Sequence, residues 1–254
     1  MKKCLVAILF FIAIFGSYLP YLPAKNLNSK SRVVIFVGHT GVGNNFGAKS
    51  SSGIYEIVYN DILAKKLASI KSDKFEYVLI DSSQKVKLKN RPDFAAKYKA
   101  DLIIEIHHDS AQQIDIDVCN KEKGDKNGFC NKMSGASVFF CSKQEKGSVS
   151  EKVSLLIGKS LQKNGFRANL YHMKDIKGER RKIVSEENAV YDTCFYVLKN
   201  AKVPSVLIEA AVITNPQDEE KVKHTDYHDR FAKSVHEGIE AYFEFYIQQK
   251  ENKN

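Results

Sequence analysis

The chain has 254 residues and a formal net charge of +9, and 43% of its residues are hydrophobic and 27% charged. This composition is typical of a globular protein and excludes a wholly disordered chain, and the length suits one substantial domain rather than two. The positive charge favours anionic polymers as partners. Because the lysines are scattered and no nucleic-acid-binding motif is recognisable, we do not expect nucleic acid among those partners.

The first 24 residues have the layout of a secretory signal peptide. Lys2 and Lys3 form a short basic start, residues 4–16 are apolar and uncharged, and residues 17–24 are small and turn-prone. The alternative is an uncleaved membrane anchor, but the apolar run is short for a membrane span. The segment predicts export to the periplasm, the cell wall or the extracellular space, with membrane contact only if it is not cleaved.

The rest of the chain alternates between apolar runs and amphipathic stretches. We expect a polar lead-in at 25–31, one catalytic domain at 32–247 and a disordered tail at 248–254. Strands are predicted at 32–37, 76–80, 102–107, 136–141 and 205–209. Helices are predicted at about 54–67, 91–98, 149–161, 191–198 and 227–246. This alternation predicts an α/β fold in which a mostly parallel twisted sheet of about five to six strands has helices on both faces.

Several polar residues follow predicted strands or begin a helix, where functional groups gather in such sheets. They are His39, Glu56, His107, His108, Asp109 and Glu209. A single histidine after a strand is more often a structural residue, and Glu56 could serve only the helix dipole. A carboxylate at the end of a buried strand, as at Glu209, is costly unless it is paired, protonated or metal-bound. Two imidazoles and one carboxylate would fill three positions of a tetrahedral zinc site and leave the fourth open for water.

Four blocks of the sequence carry a family resemblance. VGHTGVG surrounds His39, GIYE occupies 53–56, an arginine-led segment at 91–107 ends in KADLIIEIH, and 203–220 reads VPSVLIEAAVITNPQDEE. Over about residues 32–245 the chain resembles the zinc-dependent N-acetylmuramoyl-L-alanine amidases of the amidase-3 type. The resemblance implies hydrolysis of the amide between N-acetylmuramic acid and L-alanine in peptidoglycan, with peptidoglycan as the partner and an activator protein as a further candidate partner.

The resemblance also implies roles for individual residues. It assigns one Zn²⁺ per chain to His39, Glu56 and His107, and it assigns Glu209 as the catalytic acid/base. Zinc lowers the pKa of a bound water and polarises a carbonyl. Glu209 would accept the proton of the water and return it to the departing alanine nitrogen.

Some positions depart from the family pattern. Residues 36–38 read FVG where the family often has aspartate-proline-glycine, and 210–211 are alanines where glycines are usual. Glu105 stands where serine is usual, and on a strand it shares a face with His107. We therefore expect Glu105 to support the metal ligands or to compete with them, and His108 and Asp109 are the other candidates for a supporting shell.

The four cysteines after the signal segment allow three disulfide pairings in an oxidising compartment. Cys119 and Cys130 bracket a polar loop that contains glycine, and this is the pairing that we expect. The surrounding segment 110–135 either borders a substrate groove, tied by this disulfide, or is a solvated insertion. The basic residues Lys177 and 180–182 similarly either meet carboxylates of the stem peptide or form an exposed charge run.

Two other classes of function stay open. A catalytically silent cell-wall binding or regulatory protein could have the same fold, but it has no chemical reason to retain all four site residues. Another zinc amidohydrolase or peptidase, such as a carboxypeptidase or sugar deacetylase, would place its ligands in different local patterns. No His-x-x-Glu or His-x-x-x-His pair occurs around these positions, so the amidase is the expected function.

Overall fold

The computed structural model describes residues 30–251 except 116, 118–132, 176, 178 and 180. The predicted signal segment at 1–24 and the predicted Cys119–Cys130 disulfide lie outside the described residues. So do most of the lead-in and most of the loop between 110 and 135.

Within the described residues, seven strands form one sheet at the centre of the domain. They are β1 (Ser31–Val37), β2 (Phe75–Ile80), β3 (Leu102–Asp109), β4 (Ser137–Phe140), β5 (Lys182–Ser185), β6 (Val190–Asp192) and β7 (Ser205–Val212). Their order is β2-β1-β3-β7-β4-β6-β5. Strands β2, β1, β3 and β7 are parallel, β4 is antiparallel to β7 and parallel to β6, and β5 is antiparallel to β6. The predicted mostly parallel sheet is confirmed.

Helices cover both faces of the sheet, as predicted. They are α1 (Glu56–Ser69), α2 (Arg91–Lys97), α3 (Gly147–Lys163), α4 (Tyr196–Asn200), α5 (Pro216–Val222) and α6 (Thr225–Glu251). Helices α1, α3 and α6 pack on one face around Ile35, Ile104 and Ile208. Helices α2 and α4 pack on the other around Phe36 and Ile103. Among residues 30–251, the described part of the chain includes no helix long and apolar enough to cross a membrane.

The predicted helix at 191–198 is wrong in its first half. Tyr191 lies in β6, where its buried ring stacks on Phe139 at 5.3 Å between ring centroids. The N–H of Thr193 donates to the carbonyl of Phe140 at 2.7 Å, so the chain stays extended along the sheet and the helix begins only at Tyr196. Strands β5 and β6 add to the predicted count, because strands of four and three residues carry too little alternation to be recognised.

Two helices differ from expectation in face or length. The apolar spacing that predicts α1 includes Ile54, Val58 and Ile62, yet these side chains are between 37% and 46% exposed. The inward face of α1 instead carries Glu56 and Asn60 among its buried residues. The last helix continues to Glu251, so the described part of the predicted tail is helical rather than disordered.

A disulfide joins Cys141 and Cys194. It links the residue that follows β4 to the segment that precedes α4. This bond therefore fixes the start of α4 to the sheet, and α4 forms one wall of the cavity described next.

Candidate metal centre

His39, Glu56 and His107 come together at the edge of the sheet where the parallel strands end. Nε2 of His39 lies 2.7 Å from Oε2 of Glu56, and Nδ1 of His107 lies 3.0 Å from Oε1. One ligand atom from each of the three residues lies within 4.8 Å of the others. Glu56 is buried, whereas the side chains of His39 and His107 are 23% and 16% exposed. The structure thus places the three predicted ligands in one cluster that opens to solvent on the histidine side.

Two glycines make room for this cluster. A Cβ atom at Gly38 would lie 2.5 Å from Nδ1 of His107. Gly47 has a φ of +78°, in the left-handed region that favours glycine, and a Cβ atom there would overlap the carboxylate of Glu56. Gly38 and Gly47 precede and follow His39 in the sequence. A larger residue at either position would clash with the side chains of the cluster.

An asparagine fixes the orientation of the first histidine. Oδ1 of Asn45 lies 2.7 Å from Nδ1 of His39, so the ring donates its Nδ1–H to the amide oxygen and turns Nε2 towards Glu56. Such a contact sets which ring nitrogen is free to bind a metal. Asn45 lies in a glycine-rich loop, where the sequence carries no signal that would have identified it.

A second asparagine orients the carboxylate. Asn60 donates to Oε1 of Glu56 at 3.0 Å and to the carbonyl of Gly38 at 3.2 Å. Its own Oδ1 lies 2.8 Å from Nδ1 of His108. Burial lowers the pKa of His108 to about 3, so this ring is neutral and donates its Nδ1–H to Asn60. Asn60 could have been identified from the sequence, because it follows Glu56 by one helical turn on the same face.

The cluster favours a negative carboxylate facing two imidazoles. Burial raises the pKa of Glu56, but hydrogen bonds with His107 and His39 outweigh burial and hold the pKa well below its ordinary value. Burial lowers the pKa of His39, whereas its hydrogen bond with Glu56 and the charge of that carboxylate leave the pKa above its ordinary value. The carboxylate of Glu56 thus favours positive charge beside it, which a bound cation would also supply.

Glu209 lies beside the cluster on the neighbouring strand. It pairs in register with His107 across β3 and β7. Its Oε2 atom is buried and has no hydrogen-bond partner among the described residues. Burial, together with the negative charges of Asp109 and Glu56, raises the pKa of Glu209 well above its ordinary value. A carboxyl group in this state is suited to exchanging a proton with a bound molecule.

One cavity of about 430 Å³ contains these groups. Its polar side is formed by the histidine–glutamate cluster and Glu209, and its apolar side by Leu88, Phe195 and Tyr196. A larger cavity of about 530 Å³ lies elsewhere, against Phe166 and Tyr227, and none of the predicted site residues lines it. The chemistry therefore identifies the smaller cavity as the candidate active site.

The other predicted supporting residues lie around this cavity. Glu105 is buried and pairs with Arg91, with 2.5 Å between Oε1 and Nη1. Asp109 accepts a hydrogen bond from Asn169 at 2.9 Å and lies 2.8 Å from Nε2 of His172. Only His108 reaches the ligands directly, through its backbone N–H, which lies 3.3 Å from Oε1 of Glu56.

A buried histidine that the sequence does not identify completes this side of the site. His172 lies between Asp109 and Glu179, and Nδ1 of the ring is 2.7 Å from Oε2 of Glu179. Burial lowers the pKa of His172, but the two carboxylates outweigh burial and raise the pKa to about 9. Of the predicted basic cluster, Arg181 turns inward over Phe195 and Lys182 is exposed.

Comparison with known proteins identifies the family of the chain. A family described as N-acetylmuramoyl-L-alanine amidase matches residues 33–241. N-acetylmuramoyl-L-alanine amidase AmiA of Escherichia coli (strain K12) is 28% identical over 239 residues, which cover 89% of this chain and 81% of AmiA. N-acetylmuramoyl-L-alanine amidase LytC of Bacillus subtilis (strain 168) is 41% identical over 59 residues, but these cover only 23% of this chain and 12% of LytC.

Solved structures show the same fold. The crystal structure of N-acetylmuramoyl-L-alanine amidase from Clostridium difficile 630 superposes with a TM-score of 0.64 at 24% identity, covering 85% of this chain and 97% of that one. The sequence resemblance noted above is confirmed. Because the family match spans the strands and helices that carry His39, Glu56, His107 and Glu209, the chain belongs to the N-acetylmuramoyl-L-alanine amidase family.

Proposed function

We propose that this chain is an exported, zinc-dependent amidase that hydrolyses the bond between N-acetylmuramic acid and L-alanine in peptidoglycan. The observation that supports this most is the convergence of His39, Glu56 and His107 in one cavity with Glu209. The Oε2 atom of Glu209 is buried and has no hydrogen-bond partner in the described part of the chain. The names of AmiA and LytC point to the same bond.

The donor set fits a catalytic zinc ion. Two imidazoles and one carboxylate are typical ligands of such sites, and an open fourth position admits water or substrate. We assign one ion per chain to His39, Glu56 and His107, whose ligand atoms are close enough to share it. Zinc bound there supplies Lewis-acid activation of water and of the scissile carbonyl.

The remaining steps belong to side chains of the cavity. Glu209, whose buried Oε2 atom has no hydrogen-bond partner among the described residues, would accept the proton of the attacking water as a carboxylate and return it to the alanine nitrogen as that amine departs. An amine is a poor leaving group, so this protonation is needed for the bond to break. Phe195 and Tyr196 also line the cavity and supply apolar surface beside its polar groups.

Digestion of purified sacculi tests the proposal. Wild type should release intact stem peptides from glycan, detected by mass spectrometry, and a chelator should abolish the release. Glu209→Gln should bind zinc but release no peptide, whereas Glu187→Gln, a change at an exposed residue, should be fully active.

Each alternative has its own signature in this experiment. Zinc binding without cleavage by wild type, both alone and with added periplasmic or cell-wall extract, would indicate a silent wall-binding protein, and cleavage at another bond would indicate a different zinc hydrolase. Dependence on an activator protein stays a prediction, tested by adding extracts of the periplasm or cell wall to an inactive preparation.

A further inference from the structure

An ion pair is buried directly beneath the candidate metal centre. Arg91 and Glu105 are 3% and 1% exposed, and Nη1 of the arginine lies 2.5 Å from Oε1 of the glutamate. Burying two charges is costly, and such a pair is tolerated only where its geometry is good and further hydrogen bonds satisfy most of the remaining donors. Nε is the one guanidinium nitrogen of Arg91 that has no partner among the described residues. The further contacts of this pair therefore indicate what it does.

The other terminal nitrogen of the guanidinium, Nη2, contacts the peptide groups around His39. Nη2 of Arg91 donates to the carbonyl of Val37 at 2.7 Å and to the carbonyl of His39 at 3.3 Å. The guanidinium also lies over the ring of Phe36, 5.3 Å from its centroid. Arginine alone offers several donors in a rigid planar fork, so one side chain can hold Glu105 and both carbonyls together.

The peptide that Arg91 contacts is in an unusual conformation. His39 has a φ of +65°, in the left-handed region that costs a residue other than glycine about 1–2 kcal/mol. Such a conformation persists only where the surroundings fix it. On one side the ring of His39 is held by Asn45, and on the other the carbonyl is held by Arg91.

We propose that Arg91 and Glu105 are positioning residues for the metal ligand His39. Arg91 fixes the carbonyls of Val37 and His39, so that the imidazole faces Glu56 and His107. Glu105 provides the buried negative charge that keeps the guanidinium in place. The inference rests on the metal centre proposed above and extends it to two residues outside the set of proposed ligands.

Two conservative variants and one matched control test the inference. Arg91→Lys retains a charge for Glu105 but loses the planar fork, and Glu105→Gln removes the charge that anchors it. Gln144→Met is the control, because the buried amide of Gln144 likewise donates to two carbonyls, those of Ala201 and Val203, each at 2.8 Å. These carbonyls precede β7, at the opposite edge of the sheet from the site.

Two measurements are made on each variant. Chelator competition gives the zinc dissociation constant, and hydrogen exchange on the metal-free protein gives the protection of residues 36–41. Arg91→Lys and Glu105→Gln should weaken zinc binding about 10–100-fold and speed exchange at 36–41. Gln144→Met should leave both within about twofold of wild type, even where it lowers thermal stability.

The outcomes separate this inference from the proposed function. A folded Arg91→Lys with unchanged zinc affinity and unchanged exchange would overturn the positioning role and leave the amidase proposal intact. A wild-type chain that binds no zinc would overturn the amidase proposal. The role of Arg91 and Glu105 would then be decided by whether their variants exchange backbone hydrogens faster than wild type at residues 36–41. If neither single variant folds, the double variant Arg91→Met/Glu105→Met takes their place, and its failure to fold would assign the pair to stability alone.

Discussion

A buried carboxylate on α5 anchors the loop that leads into the metal centre. Glu219 is 1% exposed and accepts hydrogen bonds from the hydroxyls of Ser50, Ser51, Ser52 and Tyr59, and from the backbone N–H of Ser52. Burial raises the pKa of Glu219, but these hydrogen bonds outweigh burial and lower the pKa to about 2. The loop from 50 to 52 precedes α1, whose first residue is a predicted zinc ligand. We therefore expect Glu219→Gln to loosen the loop.

The size of the effect follows from the pKa. A displacement from 4.5 to about 2 corresponds to about 3 kcal/mol at neutral pH. Because the amide oxygen of the glutamine can still accept some of these hydrogen bonds, we expect a loss of about 2 kcal/mol in the free energy of unfolding. For a domain of this size, that loss lowers the Tm by roughly 4–8 °C.

Denaturant unfolding at several pH values measures the effect. The pKa of Glu219 is depressed in the folded chain, so its contribution is present above pH 4.5 and is lost as the pH falls towards 2. The gap between wild type and Glu219→Gln should thus narrow on acidification. Glu220→Gln, at the neighbouring exposed residue, should match wild type throughout. Equal stability of Glu219→Gln and wild type at pH 7, or a gap at pH 2 as large as the gap at pH 7, would refute the reasoning.

Three further predictions concern the site and its surroundings. Gly47→Ala should weaken zinc binding at least about tenfold, because its methyl group would overlap the carboxylate ligand. Gly43 has a similar φ, and a Cβ atom there would have no neighbouring atom within 4 Å. Gly43→Ala should therefore cost only about 1 kcal/mol of stability and leave the zinc dissociation constant, measured by chelator competition, unchanged. Equal zinc binding by the two variants would contradict this prediction. The pKa of His172 is raised to about 9, so its contribution of about 3 kcal/mol is complete below pH 6.5 and is lost as the pH rises through 9. His172→Gln should therefore flatten the fall in unfolding free energy between pH 7 and 10, and a profile parallel to that of wild type would argue against it. Replacing Cys141 and Cys194 by serine should lower the free energy of unfolding by about 4 kcal/mol, because the bond closes a loop with a sequence separation of 53; an unchanged denaturation midpoint would be inconsistent with that estimate.

The sequence predicts the parallel half of the sheet and the residues at its edge. Buried parallel strands read as continuous apolar runs, so β1, β3 and β7 stand out, and the polar residues that follow them are conspicuous. His39, Glu56, His107 and Glu209 could be proposed for this reason and for their match to a family pattern.

What the sequence does not reveal depends on contacts between distant segments. Asn45 acquires its role only when the loop folds back onto His39, and His172 only when its segment packs against Asp109. The helix predicted at 191–198 fails because Tyr191 has an apolar spacing that suits a helix, while stacking on the neighbouring strand determines its conformation. Tertiary packing overrides local preference at such positions.

The antiparallel direction of β4 determines where the chain can accept an insertion. β3 ends at Asp109 and β4 begins at Ser137 on the same rim, since Ser137 pairs with Glu209. The connection between β3 and β4 therefore has both of its ends on one rim of the sheet. The entropic cost of closing a loop grows only slowly as the loop is lengthened. Segments can therefore be inserted or exchanged there, for instance to graft a new recognition element, while the four site side chains keep their places on the strands, turn and helix that hold them.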